Sequence, residues 1–148
     1  MKKFLLGLGI VLLTAGVAFA SPINKTIIAQ TTLDDSPTSV TSATQDVQDF
    51  LKTGFVIEYD ETEVGGGVSG TVSFEFSYDG TNWTTGYFYD FAGGSTAQTQ
   101  ETLAADATYI CWLDSSLWSI PYARATVAGT NTDTDDTIVV TVYMTGQQ

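Results

Sequence analysis

The sequence predicts an all-β protein, an antiparallel β-sandwich, and three observations carry that prediction. Val72, Phe74, Phe76 and Tyr78 alternate with Ser73, Glu75 and Ser77, the period of two that sets large apolar groups on one face of a strand. Ile138, Val140, Val142 and Met144 repeat the pattern near the C-terminal end, and Ala123, Ala125 and Val127 repeat it with smaller side chains. Turn signals separate these short runs, no long helical period interrupts them and no internal repeat is present, so a sandwich or barrel is the expected architecture.

The first twenty of the 148 residues read as an address rather than as fold. Lys2 and Lys3 precede an apolar run from Phe4 to Val17, and Ala18-Phe19-Ala20 offers the small residues that a signal peptidase requires. Cleavage would leave Ser21 first, and the product is expected to be secreted, whether to a periplasm, a cell surface or the medium. No later stretch is apolar over the length of a membrane-spanning helix, so no membrane partner is expected after cleavage.

Residues 21–45 are rich in Ser, Thr, Gln and Asp, with Ile27-Ile28 as an apolar island. They read as an extended polar arm with three possible fates: a linker, a strand of its own sheet, or a strand lent to a neighbouring subunit. The sandwich itself is expected over residues 46–148. Residues 47–59 read as extended, and Gly65-Gly66-Gly67 as an inter-strand loop, since no Lys-Ser/Thr and no helix follows to make a phosphate cradle. After Tyr78, Asp79-Gly80 supplies a turn and Trp83 to Phe91 an aromatic return strand, so Gly70 to Phe91 reads as a hairpin closed by Ala92-Gly93-Gly94-Ser95. Gln98 to Leu103 is a weak polar strand or loop. Ala107 to Leu113 carries bulk on both faces and is expected to be central in its sheet, and Ala128 to Asp136 is a polar loop before the last strand.

Charge and composition exclude several functions. Five basic residues stand against 17 acidic ones, for a net charge of −12; removal of Lys2 and Lys3 leaves Lys25, Lys52 and Arg124 as the only cations. Such a chain repels polyphosphate and anionic lipid, so nucleic acid is not an expected partner. Histidine is absent, which removes the usual general base and the usual zinc ligand. Cys111 is the only cysteine, so no disulfide forms within the chain, and its place in an apolar run favours a small buried hydrophobe over an intermolecular bridge or a reactive thiol. No G-x-S-x-G motif surrounds a serine. A pair of carboxylates across a cleft is the one catalytic device the composition permits, and an enzyme is not expected.

Two segments carry a resemblance. Gly70 to Trp83, GTVSFEFSYDGTNW, resembles a hairpin of small β-sandwich proteins from tailed phages and virus-like particles, and its S-x-D-G-x-x-W portion is similar to discoidin-like carbohydrate- and surface-binding domains. Pro121-Tyr122-Ala123-Arg124-Ala125, with the final strand ending Tyr143-Met144-Thr145-Gly146, is similar to the strand pair that closes both groups. Together they cover roughly half of residues 21–148. The resemblance implies a jelly-roll, immunoglobulin-like or discoidin-like sandwich with a non-catalytic role in assembly or attachment.

Two groups of residues are candidates for a site. Trp83, Trp112, Trp118, Tyr87, Tyr89 and Tyr122 can offer ring faces to a sugar, and Trp83 and Trp118, one after a turn and the other in a polar stretch, are expected to be exposed. Trp83, Trp118, Tyr122 and Arg124 are therefore the candidate ligand residues, with Arg124 alternatively paired to an acid such as Asp79 or Asp114. Asn131, Asp133, Asp135 and Asp136 form the densest oxygen cluster and the candidate calcium site, although the loop lacks the glycine and closing glutamate of an EF-hand; the alternative is a solvated loop without a cofactor. The leading expectation is a structural or adhesive protein that self-assembles or engages another surface protein. A carbohydrate-binding module is the alternative.

Overall fold

Eleven strands in two antiparallel sheets make up the described part of the chain. The computed structural model describes residues 22–34, 39–48, 50, 52–62, 68–90, 96–113, 119–130 and 136–147. The strands are β1 (Pro22–Asp34), β2 (Ser39–Thr41), β3 (Gln45–Asp46), β4 (Lys52–Thr62), β5 (Ser69–Ser77), β6 (Thr84–Thr85), β7 (Phe88–Asp90), β8 (Glu101–Leu103), β9 (Ala107–Leu113), β10 (Tyr122–Thr130) and β11 (Thr137–Gln147). The first sheet runs β1-β11-β4-β9-β7 and the second β2-β10-β5-β6, with β3 beside β10 and β8 beside β5. The all-β sandwich read from the sequence is the fold observed. The signal segment 1–20 lies outside the described residues.

The two sheets are held together by what their alternation points inward. Phe55, Ile57 and Tyr59 of β4 and Ile138, Val140, Val142 and Met144 of β11 face Val72, Phe74 and Phe76 of β5 and Ala123, Ala125 and Val127 of β10. Phe74 is the centre of this layer. Its ring stacks on Phe55 at 4.0 Å and meets Phe88 edge-on at 5.0 Å, so one side chain of the second sheet is clamped by two of the first. The alanines of β10 have a packing reason despite their low strand preference: Ala123 and Ala125 lie opposite Phe76 and Phe74 in the register, where a larger group would crowd the rings.

Residues 22–34 belong to the first sheet. β1 pairs antiparallel with β11, and Ile27, Ile28 and Leu33 enter the core. Its register shifts between Thr26 and Ile28 and again before Thr31, which is how two adjacent isoleucines both come to be buried. Further along the 21–45 segment, β2 and β3 pair with β10.

The hairpin expected over Gly70 to Phe91 is corrected in two places. Tyr78 does not continue the inward row; β5 ends at Ser77 and Tyr78 is 74% exposed. Ser77 stops the strand because its Oγ accepts the Gly80 N–H at 2.9 Å and donates to Asp79 Oδ1 at 3.0 Å, starting a turn one residue before the tyrosine. The return strand is also split. Only Thr84 and Thr85 pair with β5, after which the chain crosses to the first sheet so that Phe88 can fill the space beside Phe74. There Phe88 and Gln98 exchange backbone hydrogen bonds of 2.9 Å, and β7 pairs with β9. As expected, β9 is flanked on both sides, by β4 and β7.

Candidate interaction surfaces

A sandwich has two outer faces, and the candidates Trp83, Tyr122 and Arg124 fall on the second sheet's. Arg124 and Glu75 are register partners on β10 and β5, and the Arg124 Nε donates to Glu75 Oε2 at 2.7 Å. The acid is therefore Glu75 rather than Asp79; Asp114, the other acid considered, lies outside the described residues. The guanidinium also sits 4.2 Å from the centroid of the Trp83 ring, a cation–π contact. That contact covers the indole, so Trp83 is half-buried rather than exposed. Tyr122 is one alternation before Arg124 and borders Gly80. The structure thus brings Trp83, Tyr122 and Arg124 into one corner, while Trp118 lies outside the described residues.

The turn beneath this corner is fixed by Asp79. Its Oδ1 accepts the N–H groups of Thr81 and Asn82 at 2.8 Å each, and its Oδ2 accepts the Asn82 side-chain amide at 2.7 Å. Gly80 takes the positive φ of 71° that the turn demands. The backbone donors of Asn82 and Thr81, then the Asn82 and Ser77 side chains, hold the Asp79 carboxyl well below the usual carboxylate range. A folded value that is lowered means the turn keeps its full stabilisation above the unfolded carboxylate value of about 3.9, and loses it only as pH falls through the lower folded one. Amide exchange at Thr81 and Asn82 is accordingly expected to stay slow to well below pH 4 in the wild type. In Asp79→Ala those two amides exchange fast at every pH.

Cys111 is wholly buried, and burial, followed by the charges of Glu101 and Asp90, pushes its thiol up to about 12. Glu101 and Asp90 approach each other at the sandwich edge. Burial and the Asp90 charge raise the Glu101 carboxyl, which accepts a hydrogen bond from the Gln98 side-chain amide. Of the calcium candidates, Asn131, Asp133 and Asp135 lie outside the described residues. Asp136 is fully buried just before β11, a correction to its place in a solvated loop: it enters the core boundary as the strand begins. Among the described residues no group of three acidic or cysteine side chains is arranged to hold a metal.

Trp112 and Tyr89, two of the rings named from the sequence as possible sugar platforms, are register partners on the first sheet. Trp112 on β9 is 39% exposed, and its cross-strand neighbours are Tyr89 on β7 and Gly54 on β4. A Cβ built on Gly54 would stand 2.9 Å from Trp112 Cε3 and 3.0 Å from Cζ3, so the indole rests on bare backbone. One alternation along, Ile110, Val56 and Tyr143 form a second cross-strand row, and the Tyr143 hydroxyl donates to Glu58 at 3.0 Å. Lys52, Thr53, Trp112 and Leu113 line a cleft of about 310 Å³. The sequence signal for this face was the glycine itself, since a glycine inside a strand marks close approach by another group.

No family model matches the chain, and no curated protein matches it in sequence. Among solved structures it is similar to the crystal structure of PBSX exported protein XepA, with a TM-score of 0.52 and 16% sequence identity, over 85% of this chain and 37% of that one. The chain thus spans little more than a third of that neighbour's length, and at this identity the likeness is one of fold: a β-sandwich also found in a protein that is exported.

Proposed function

We propose that this protein is a non-enzymatic, exported β-sandwich that works by contact, through subunit assembly or attachment to a surface. One observation carries the reading. The described surface offers exposed aromatic rings, Trp112, Tyr78 and Tyr87, whereas the thiol is buried, Asp79 is saturated by its turn and Arg124 is paired. Rings without activated groups suit recognition rather than turnover. The exported structural neighbour and the leader-like first twenty residues support the address, and the resemblance of Gly70 to Trp83 to particle proteins supports a structural role.

Sedimentation velocity and negative-stain electron microscopy of residues 21–148, combined with an assay for reducing ends released from polysaccharides, test the proposal. Multimers, filaments or surface-bound protein with no sugar released is the expected result. A monomer that liberates sugar overturns it.

A further inference from the structure

We infer that the outer face of the first sheet, centred on Trp112, is an attachment site for an uncharged polysaccharide. The inference rests on the contact function proposed above and names the partner class and the face. Its first support is the geometry of the ring. Trp112 lies against Gly54 with no intervening side chain, so the indole is seated on the sheet and still 39% exposed. A seated ring loses little freedom when a sugar packs its apolar C–H groups on it, which favours binding.

The second support is the row that contains it. Tyr89, Trp112, Gly54, Thr145 and Asn24 are successive register partners across all five strands, a track of about 19 Å at the usual inter-strand spacing. Aromatic rings occupy one end, and a hydroxyl and an amide occupy the other. Lys52, beside the Trp112 cleft, adds a donor. That combination of ring surface, a neutral hydroxyl and amide along a line, and one cationic donor beside it matches an extended polyol.

Charge selects among the possible occupants. Glu58 and Asp60 face outward on the same sheet, and with Asp106 they border a hollow of about 500 Å³ at the end away from Lys52. An anionic glycan meets repulsion there. So does a second copy of residues 21–148, which brings 17 acids against 17 with only Lys25, Lys52 and Arg124 as cations on each side. A neutral chain meets neither penalty.

The test is native electrophoresis in gels cast with soluble neutral glucans and galactomannan, with cellulose and chitin pull-downs alongside. Retardation or retention of the wild type is expected, weakened at least about tenfold by Trp112→Ala, which removes the stacking ring. Gly54→Val, which keeps the indole but displaces it, is expected to weaken binding as well. Thr85→Ala, at an exposed position of the other sheet, is expected to bind as the wild type does, and thermal unfolding of each variant confirms that it is folded. Absence of retention by every probe overturns the inference, as does binding that survives both Trp112→Ala and Gly54→Val. A loss of self-association in Trp112→Ala without any glycan retention also overturns it, assigning the face to a second copy while leaving the contact function intact.

Discussion

Phe74→Ala is expected to destabilise the fold by about 3–5 kcal/mol, the cost of emptying a large aromatic site in a packed core. Phe74 is fully buried and touches rings from two strands of the opposite sheet, so the cavity opens at the join between layers, where neither sheet can relax toward it without moving the other. For a domain stable by about 5–15 kcal/mol that is a large share. Tyr78→Ala is the informative contrast. It occupies the next position of the same alternation, and because it is 74% exposed the change should stay within about 0.5 kcal/mol. Urea unfolding followed by far-UV circular dichroism measures both. Equal losses would mean that β5 continues past Ser77.

Deleting residues 22–34 is expected to abolish cooperative folding. β1 contributes Ile27, Ile28 and Leu33 to the core, about 1.5–3 kcal/mol each when fully buried. It also satisfies one edge of β11 over ten register positions, leaving that strand a bare template for aggregation if removed. The deletion therefore reports on folding before it reports on assembly. Near-UV circular dichroism and a urea titration decide: a lost transition or insoluble protein is expected, and a truncated chain with a native spectrum and transition would show that β1 is dispensable. Assembly through this edge is better examined by single substitutions at its exposed positions, such as Asn24 and Thr26.

The parts of the fold that were legible in the sequence are those whose alternation is regular and whose inward side chains are large. β5 and β11 satisfy both conditions, and β10 was legible because its alanines keep the period even though they are small. β1 was not. Its outward positions are hydroxyls and amides suited to an edge strand, and its bulges break the period of two where Ile27 and Ile28 fall together. Phe88 was read into the hairpin because sequence shows its neighbours but not the crossing to the other sheet.

The candidate surface was harder to read for a related reason. Bulk on both faces of β9 predicts a central strand, which it is, but a strand central in its sheet still has one face on solvent in a two-layer fold, and Trp112 is on it. A position just after a turn predicts an exposed Trp83, and the structure half-buries it. Its cover, Arg124, is distant in sequence and reaches it only because Glu75 holds the guanidinium across the β5–β10 ladder. Exposure of a ring depends on such tertiary partners, which a local pattern does not contain.

The contact surface is set by which indole the folded protein presents, and hydroxyl-radical footprinting read by mass spectrometry measures that directly, because the same side-chain chemistry is compared at two positions. Trp112 should be oxidised faster than Trp83, which the Arg124 guanidinium shields. Faster oxidation of Trp83, or equal rates at the two, would contradict the placement of the contact surface on the first sheet.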